Sequence, residues 1–182
     1  MKYFEYSPEA FALTEFLSAE ECQALIERGE DLGFGVAPIN TTSGHVVASQ
    51  IRNNGRAMVD DRGLADTLWS RFQEHAPRNV DGWTAIGLNE RFRFYRYDQY
   101  QIFRWHSDGR FTRNEREESR YTLMFYLNDG FEGGFTDFRS FKVYPAQGMA
   151  LCFHHPLLHE GATVSSGRKY VLRTDVMYRA EV

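Results

Sequence analysis

Two kinds of hydrophobic spacing divide the chain. From Ser18 to about His75 apolar residues recur at three- and four-residue intervals, and from Leu88 onward they alternate with polar ones. The first spacing predicts amphipathic helices and the second predicts strands. Cys22, Leu25 and Ile26 form one helical stripe. Ser18 is a good N-cap for it, Glu21 stands at the reciprocal capping-box position, and Gly33 is suited to end it. Leu64, Leu68 and Phe72 recur every four residues with Trp69 beside them, after Asp60 and Asp61 and before Pro77. That arrangement predicts a second helix running to about His75, with His75 itself on the surface. Both helices are expected to support a sheet.

The flanking stretches read as follows. Residues 1–17 are aromatic and suggest an edge strand ending at Phe16-Leu17. Residues 34–59 carry Gly35, Pro38, Asn40, Thr41, Thr42, Ser43 and Gly44, which is loop chemistry, with a short strand expected from His45 to Ala48. Arg52-Asn53-Asn54-Gly55-Arg56 is a polar knot, either a solvated turn or a loop reaching a substrate, and it makes Arg52 and Asn54 candidate substrate contacts. Residues 78–87 read as loop, and the charged run 109–119 as a mobile loop. Strands are expected from Leu88 to Asp98, Tyr100 to Asp108, Tyr121 to Asn128, Phe135 to Phe138, Phe141 to Tyr144, Met149 to Phe153, His159 to Val164 and Arg168 to Tyr178. Short strands with glycine turns predict an antiparallel sandwich or jelly roll. The fold class is mainly β with supporting helices (α+β), in one domain over 1–182. Its N-terminal part is 1–87 and its β core 88–182.

Composition narrows the function classes. At 182 residues, 42% hydrophobic and 25% charged, the chain has the make-up of an ordinary globular domain. Fifteen Phe and ten Tyr favour strands. A net charge of -4 weighs against nucleic-acid binding, which draws its affinity from neutralising phosphates. Cys22 and Cys152 form no CxxC pair and read as buried small residues. The first residues lack a basic and apolar leader pattern, and no run reaches bilayer length, so no membrane and a cytoplasmic location are expected. The aromatic N-terminal edge leaves monomer and homodimer both open.

The candidate chemistry centres on Phe103-Arg104-Trp105-His106-Ser107-Asp108. On a strand, His106 and Asp108 share a face and offer an imidazole nitrogen and a carboxylate to one metal. The same alternation puts Ile102 and Arg104 on the His106 side, Arg104 edging the pocket, and turns Phe103 and Trp105 away. His159 follows about fifty residues later. Two histidines and one carboxylate with open positions are the donor set of non-heme Fe(II) oxygenases. His155, four residues before His159, keeps a zinc hydrolase in view, although Pro156 argues against a helix there, and His154 and His155 read as loop residues. Lys169 stands ten residues after His159 on a strand expected to pair with that of His159. Lys169, Val171 and Arg173 share one face, and cations buried there need anionic partners.

These residues resemble the prolyl 4-hydroxylase branch of the Fe(II)- and 2-oxoglutarate-dependent dioxygenases. The resemblance runs from about Arg93 to Tyr178. It includes Tyr97, nine residues before His106, then the His106-Ser107-Asp108 motif and Thr122-Leu123-Met124-Phe125-Tyr126-Leu127-Asn128. It continues through Gly133-Gly134-Phe135-Thr136-Asp137-Phe138, Val143 to Phe153, Leu158-His159-Glu160-Gly161 and Gly167-Arg168-Lys169-Tyr170. The resemblance implies a double-stranded β-helix core with helices on its outer side. It implies Fe(II) on His106, Asp108 and His159, and 2-oxoglutarate bound with its far carboxylate on Lys169, Tyr97 and Thr136 lining the same pocket. Arg173 is the alternative anchor. It also implies dioxygen as co-reactant, succinate and carbon dioxide as products, substrate hydroxylation, and ascorbate as reductant. The substrate is a peptidyl proline, a free amino acid or another small molecule. The reading from another class is a jelly-roll binding module without catalysis. Nucleic-acid demethylation by a related branch is disfavoured by the acidic balance.

Overall fold

The computed structural model describes residues 1–37, 39–41, 44–46, 48 and 50–181. Pro38, Thr42 and Ser43 of the expected loop, and Val47 of the expected short strand, lie outside the described residues. Gly44–Val46 pairs with Ile39–Thr41 as a hairpin, so that strand begins one residue earlier than the pattern suggests.

The long strand Lys169–Ala180 is the spine of the larger sheet. It pairs antiparallel with Glu117–Tyr126 on one side, and with Arg91–Tyr97 and Trp83–Leu88 on the other. Beyond Glu117–Tyr126 the sheet continues through Ala150–His154, Ala10–Thr14 and Lys2–Ser7; beyond Arg91–Tyr97 it continues through Gly55–Asp60 and Gly35–Val36. A second sheet runs in the order Phe103–His106, His159–Gly161, Thr136–Asp137, Lys142–Val143. Tyr95, Leu151, Phe153 and Val171 of the first sheet share one apolar cluster with Phe138 and Val143 of the second region, which closes the two sheets on each other. This is the jelly-roll arrangement expected.

The alternate residues of the spine face the other way. Leu172 and Val176, with Leu123, Phe125, Phe92 and Phe94 of neighbouring strands, pack against Cys22, Leu25, Leu68 and Phe72 of the helices. Period-2 strands thus bury both faces, one on the second sheet and one on helices. The first helix, Ala19–Leu32, opens with the predicted reciprocal box. Ser18 Oγ accepts from the Glu21 amide at 3.1 Å, and the Glu21 carboxylate accepts from the Ser18 amide at 2.9 Å. Gly33 ends it at φ 76°, a conformation costly for other residues. The second helix, Arg62–Phe72, is capped by Asp61, whose carboxylate accepts from the Leu64 amide at 2.9 Å. It ends at Phe72, short of His75, where the chain tightens and the His75 amide donates to the Phe72 carbonyl three residues back.

Several expectations are corrected. Residues 1–17 make two strands, Lys2–Ser7 and Ala10–Thr14, folded at a turn through Pro8. Residues 78–87 are not loop: Asn79–Val80 and Trp83–Leu88 form a hairpin whose second arm joins the spine. The run 109–119 contains the hairpin arm Thr112–Asn114, and several of its charges are paired, with Arg113 near Glu90 and Glu117, and Arg110 at 3.3 Å from Glu118. His159–Gly161 does not pair with the strand carrying Lys169. It pairs with Phe103–His106 and Thr136–Asp137, so His159 and Lys169 look at each other from opposite sheets. Local strand spacing carries no information on which non-neighbouring strand is the partner.

Ser18→Ala removes one half of the capping box. It is expected to lower unfolding free energy by about 1 kcal/mol, read as a lower urea midpoint with an unchanged slope.

Candidate metal centre

The site is assembled from both sheets. Opposite each other on the larger sheet stand Lys169 and Tyr97, Val171 and Tyr95, Arg173 and Arg93. Met124 pairs with Arg173 on the other flank of the spine. From the smaller sheet come His106, Thr136 and His159. Tyr97, His106, Asp108, Thr136, His159, Lys169 and Arg173, all expected from the sequence, line one cavity between the sheets, together with Thr122 and Met124.

His106, Asp108 and His159 bring one ligand atom each to within 4.8 Å of one another. His106 Nε2 lies 3.8 Å from Asp108 Oδ1, and His159 Nε2 lies 3.9 Å from Asp108 Oδ2. Each imidazole is oriented by its other nitrogen. His106 Nδ1 donates to the Arg104 carbonyl at 2.7 Å, and His159 Nδ1 donates to the Leu157 carbonyl at 2.9 Å. Both Nε2 lone pairs are thereby left free, the tautomer a metal requires. Burial, assisted by the neighbouring imidazole, pushes His106 down to about 3, and burial lowers His159 as well. Both rings are neutral at ordinary pH, as ligation demands.

Asp108 lies beyond the strand, seated by its amide, which donates to the His155 carbonyl at 3.0 Å. Burial alone would raise its carboxyl. Arg173, with Nη1 at 2.9 Å from Oδ1, and the two imidazoles reverse that and hold it well below the usual carboxylate range. Thr122 Oγ1 donates to Oδ2 at 2.5 Å. Arg173 is fixed in turn by Asp175 at 3.1 Å, which also accepts from Arg93 at 3.1 Å. Lys169 is placed differently. It is 2% exposed, donates to the Gly134 carbonyl at 2.6 Å, and lies 5.1 and 5.4 Å from the Tyr97 and Tyr126 ring centroids. No carboxylate faces it among the described residues. Burial alone drops its amine to about 7. Thr136 accompanies it at 2.7 Å from the Tyr126 hydroxyl.

The strand reading of the opening motif fails at one point. Phe103 pairs with Gly161 and His106 with His159, so three steps on one strand span two on its partner. This bulge cancels the alternation. Phe103 therefore lies on the His106 side, its ring stacked on the imidazole at 3.5 Å between centroids. Arg104 turns outward, is exposed, and donates to the Gln50 carbonyl at 2.8 Å. It lines none of the cavities that border the cluster. Arg52 and Asn54 are buried and bonded to each other at 2.8 Å, not solvated; Arg52 borders the cluster and Asn54 holds it from behind.

His154 ends a strand, and His155 is buried rather than in a solvated loop. Its Nε2 meets Ser119 Oγ at 2.9 Å, and its Nδ1 donates to Thr122 Oγ1 at 3.1 Å. Both nitrogens are engaged by hydroxyls, and the metal-spaced group among the described residues excludes it. The zinc pair of His155 with His159 is not brought together. Sequence reasoning missed Thr122, Asp175, Arg56 and the roles of Arg93 and Tyr95. The alternation Arg93-Tyr95-Tyr97 carried a usable signal for the last two, whereas Thr122 and Asp175 had none beyond their strands.

Residues 92–174 match the family described as the 2OG-Fe(II) oxygenase superfamily. The match spans just under half of the chain and includes Tyr97, His106, Asp108, Thr136, His159, Lys169 and Arg173. The expectation of a 2-oxoglutarate-dependent dioxygenase is borne out, and that family implies Fe(II), 2-oxoglutarate and dioxygen. None of the curated proteins matches the chain. Among solved structures, the oxygenase resembles a viral collagen prolyl hydroxylase from Paramecium Bursaria Chlorella virus-1, in its complex with 2OG. The two are 21% identical over 96% of this chain and 98% of that one, with a TM-score of 0.66. A Pseudomonas putida prolyl-4-hydroxylase is 17% identical over 92% of each chain, with a TM-score of 0.65. A Trichoplax adhaerens prolyl hydroxylase, solved with a hypoxia inducible factor peptide fragment, is 16% identical over 93% of this chain and 84% of that one, with a TM-score of 0.70. These similarities establish the fold and agree with the resemblance to the prolyl 4-hydroxylase branch. The donor set fits Fe(II), since two neutral imidazoles and one ionised carboxylate converge with open space beside them.

Lys169 titrates near 7 in the fold and near 10.5 in the unfolded chain. The unfolded chain holds that proton more tightly, so the charge destabilises the ligand-free fold fully below about pH 7, and the effect fades as pH rises toward 10.5. Lys169→Met is expected to raise unfolding free energy by on the order of 1–3 kcal/mol at pH 6.5 and by much less at pH 10. Denaturant titrations at the two pH values check this.

Proposed function

We propose that this oxygenase hydroxylates its substrate while converting 2-oxoglutarate and dioxygen to succinate and carbon dioxide. His106, Asp108 and His159 are the residues that would hold Fe(II), and Lys169 the one that would anchor the far carboxylate of 2-oxoglutarate. The observation that carries this reading is the contrast between two buried cations in one cavity. Arg173 already has Asp108 and Asp175, whereas Lys169 has a single carbonyl. A buried ammonium without counter-charge is costly, and a carboxylate arriving beside it removes that cost. Tyr97 and Thr136 line the space between Lys169 and the ligand cluster and shape it for a small dicarboxylate. Arg173 is a positioning residue: it keeps Asp108 ionised and aimed.

Bound Fe(II) supplies the activation of dioxygen coupled to decarboxylation of 2-oxoglutarate. The chain's part is preparation. The Arg104 and Leu157 carbonyls fix the imidazole tautomers, and Thr122 and Arg173 fix the carboxylate rotamer. Phe103, Phe153 and Val171 make part of the wall apolar and exclude water from the reacting atoms. Ascorbate is the expected reductant for iron oxidised in turnovers without substrate.

The test is succinate formation from 2-oxoglutarate with added Fe(II), in wild type and His106→Ala, supported by isothermal titration of 2-oxoglutarate. His106→Ala is expected to lose at least about 100-fold in succinate rate, and Lys169→Ala at least about tenfold in 2-oxoglutarate affinity. Equal, iron-independent succinate formation in wild type and His106→Ala would overturn the proposal.

A further inference from the structure

A second cavity, of about 340 Å³, adjoins the ligand cluster. It shares Tyr95, Phe103, His106, Asp108 and Arg173 with the inner cavity, but not Lys169, and it reaches instead to Arg52, Arg56 and Arg93. Its size falls within the few hundred cubic ångströms typical of small-molecule sites. Its wall holds four guanidiniums, from Arg52, Arg56, Arg93 and Arg173. Among the described residues, the carboxylates that pair with them are Asp108, on Arg173, and Asp175, on Arg93 and Arg173. Fe(II) and 2-oxoglutarate carry opposite charges of equal size, so their binding leaves this imbalance as it is.

The uncompensated charge sits on Arg52 and Arg56. Arg52 is 4% exposed, with its guanidinium carbon 4.6 Å from the Tyr95 ring centroid and 4.2 Å from that of Phe103. Its Nε donates to Asn54 Oδ1 at 2.8 Å, while its buried Nη2 has no partner among the described residues. Arg56 is half-buried on the strand Gly55–Asp60, opposite Tyr95. Burial lowers its guanidinium, and the nearby Arg52 and Arg93 lower it further. Tyr95 registers the same field. Burial alone would raise its phenol, yet Arg173, Arg52 and Arg93 bring it below its ordinary value. A buried guanidinium with an idle donor and no carboxylate is half of an ion pair.

We propose that this chamber receives the substrate, and that the substrate is a small molecule whose carboxylate is gripped by Arg52 and Arg56. The inference rests on the oxygenase reading above. A carboxylate presents two oxygens in the geometry of the guanidinium fork. A mid-chain prolyl residue presents only amides, and would close the chamber over two cations without counter-charge. With its carboxylate held on this wall, a small acid extends its carbon chain past Phe103 toward the open side of the His106 and Asp108 cluster. Phe103 is the common wall: it touches Arg52 on one side and His106 on the other.

The chain loaded with Mn(II) and 2-oxoglutarate is titrated calorimetrically with free L-amino acids and small carboxylic acids, each beside its primary amide. Inorganic phosphate and a proline-containing peptide blocked at both ends are the remaining arms. At least one acid is expected to bind, with its amide at least tenfold weaker. Arg52→Gln and Arg56→Gln should each weaken that acid tenfold or more, and Arg52→Lys less than Arg52→Gln. Affinity for 2-oxoglutarate is measured alongside, to separate loss of the acid from loss of the cosubstrate. Arg56→Gln, at a half-buried position, keeps the test open where Arg52→Gln fails to fold. Equal affinity for acid and amide, no binding by any acid, tighter binding of phosphate or the blocked peptide, or an unchanged acid affinity in Arg56→Gln overturns the inference. A wild-type chain that binds no 2-oxoglutarate overturns the oxygenase reading, and this one with it.

Discussion

Arg173 and Asp108 meet 2.9 Å apart in a place neither would occupy charged and alone. Burial opposes ionisation of both, and each reverses that for the other. The pair is braced at both ends, by Thr122 on the carboxylate and by Asp175 on the guanidinium. Thr122, Arg173 and Asp175 all belong to the central strands Glu117–Tyr126 and Lys169–Ala180, whose register pairs Thr122 with Asp175 and Met124 with Arg173. A slip of one residue in that pairing would put Thr122 on the opposite face from Arg173 and Asp175. The ligand cluster thus depends on the same hydrogen-bond ladder that builds the core.

The two helices were legible because their signals are local: a capping box, an apolar stripe and a glycine stop lie within one stretch of chain. The candidate ligands His106, Asp108 and His159 were legible from residue type and spacing, although Asp108 stands beyond the strand, and the inward series Lys169-Val171-Arg173 was legible from strand period. Partner choice between strands was not. His159 and Lys169 are ten residues apart and lie on different sheets, a matter decided by closure of the whole sandwich. Nor were the short pairings at 79–84 and 112–118, the second of which is built from charged and polar residues that form strands because their neighbours provide a ladder. Arg56 was marked only as the end of a polar knot, since pairing with the strand Arg91–Tyr97 is what brings it beside Tyr95.

The interior also shows a division among its cations. Arg173 is neutralised by two carboxylates and serves geometry. Lys169 and Arg52 are buried with little to neutralise them, and each borders a different part of the space around one ligand cluster. Uncompensated buried charge lowers the stability of a protein without ligand. The ligand-free fold therefore stores a bias toward anions at two separate points.

The bulge between Phe103 and His106 has a further consequence. Three steps from Phe103 to His106 are matched to two on the partner, so removing Arg104 or Trp105 would leave the two rings on one face and His106 still opposite His159. What the extra residue adds is a local bend, at the point where the rings stack at 3.5 Å and Arg104 points outward. The spare residue gives this strand a tolerance to shortening between Phe103 and His106 that an unbulged strand would lack.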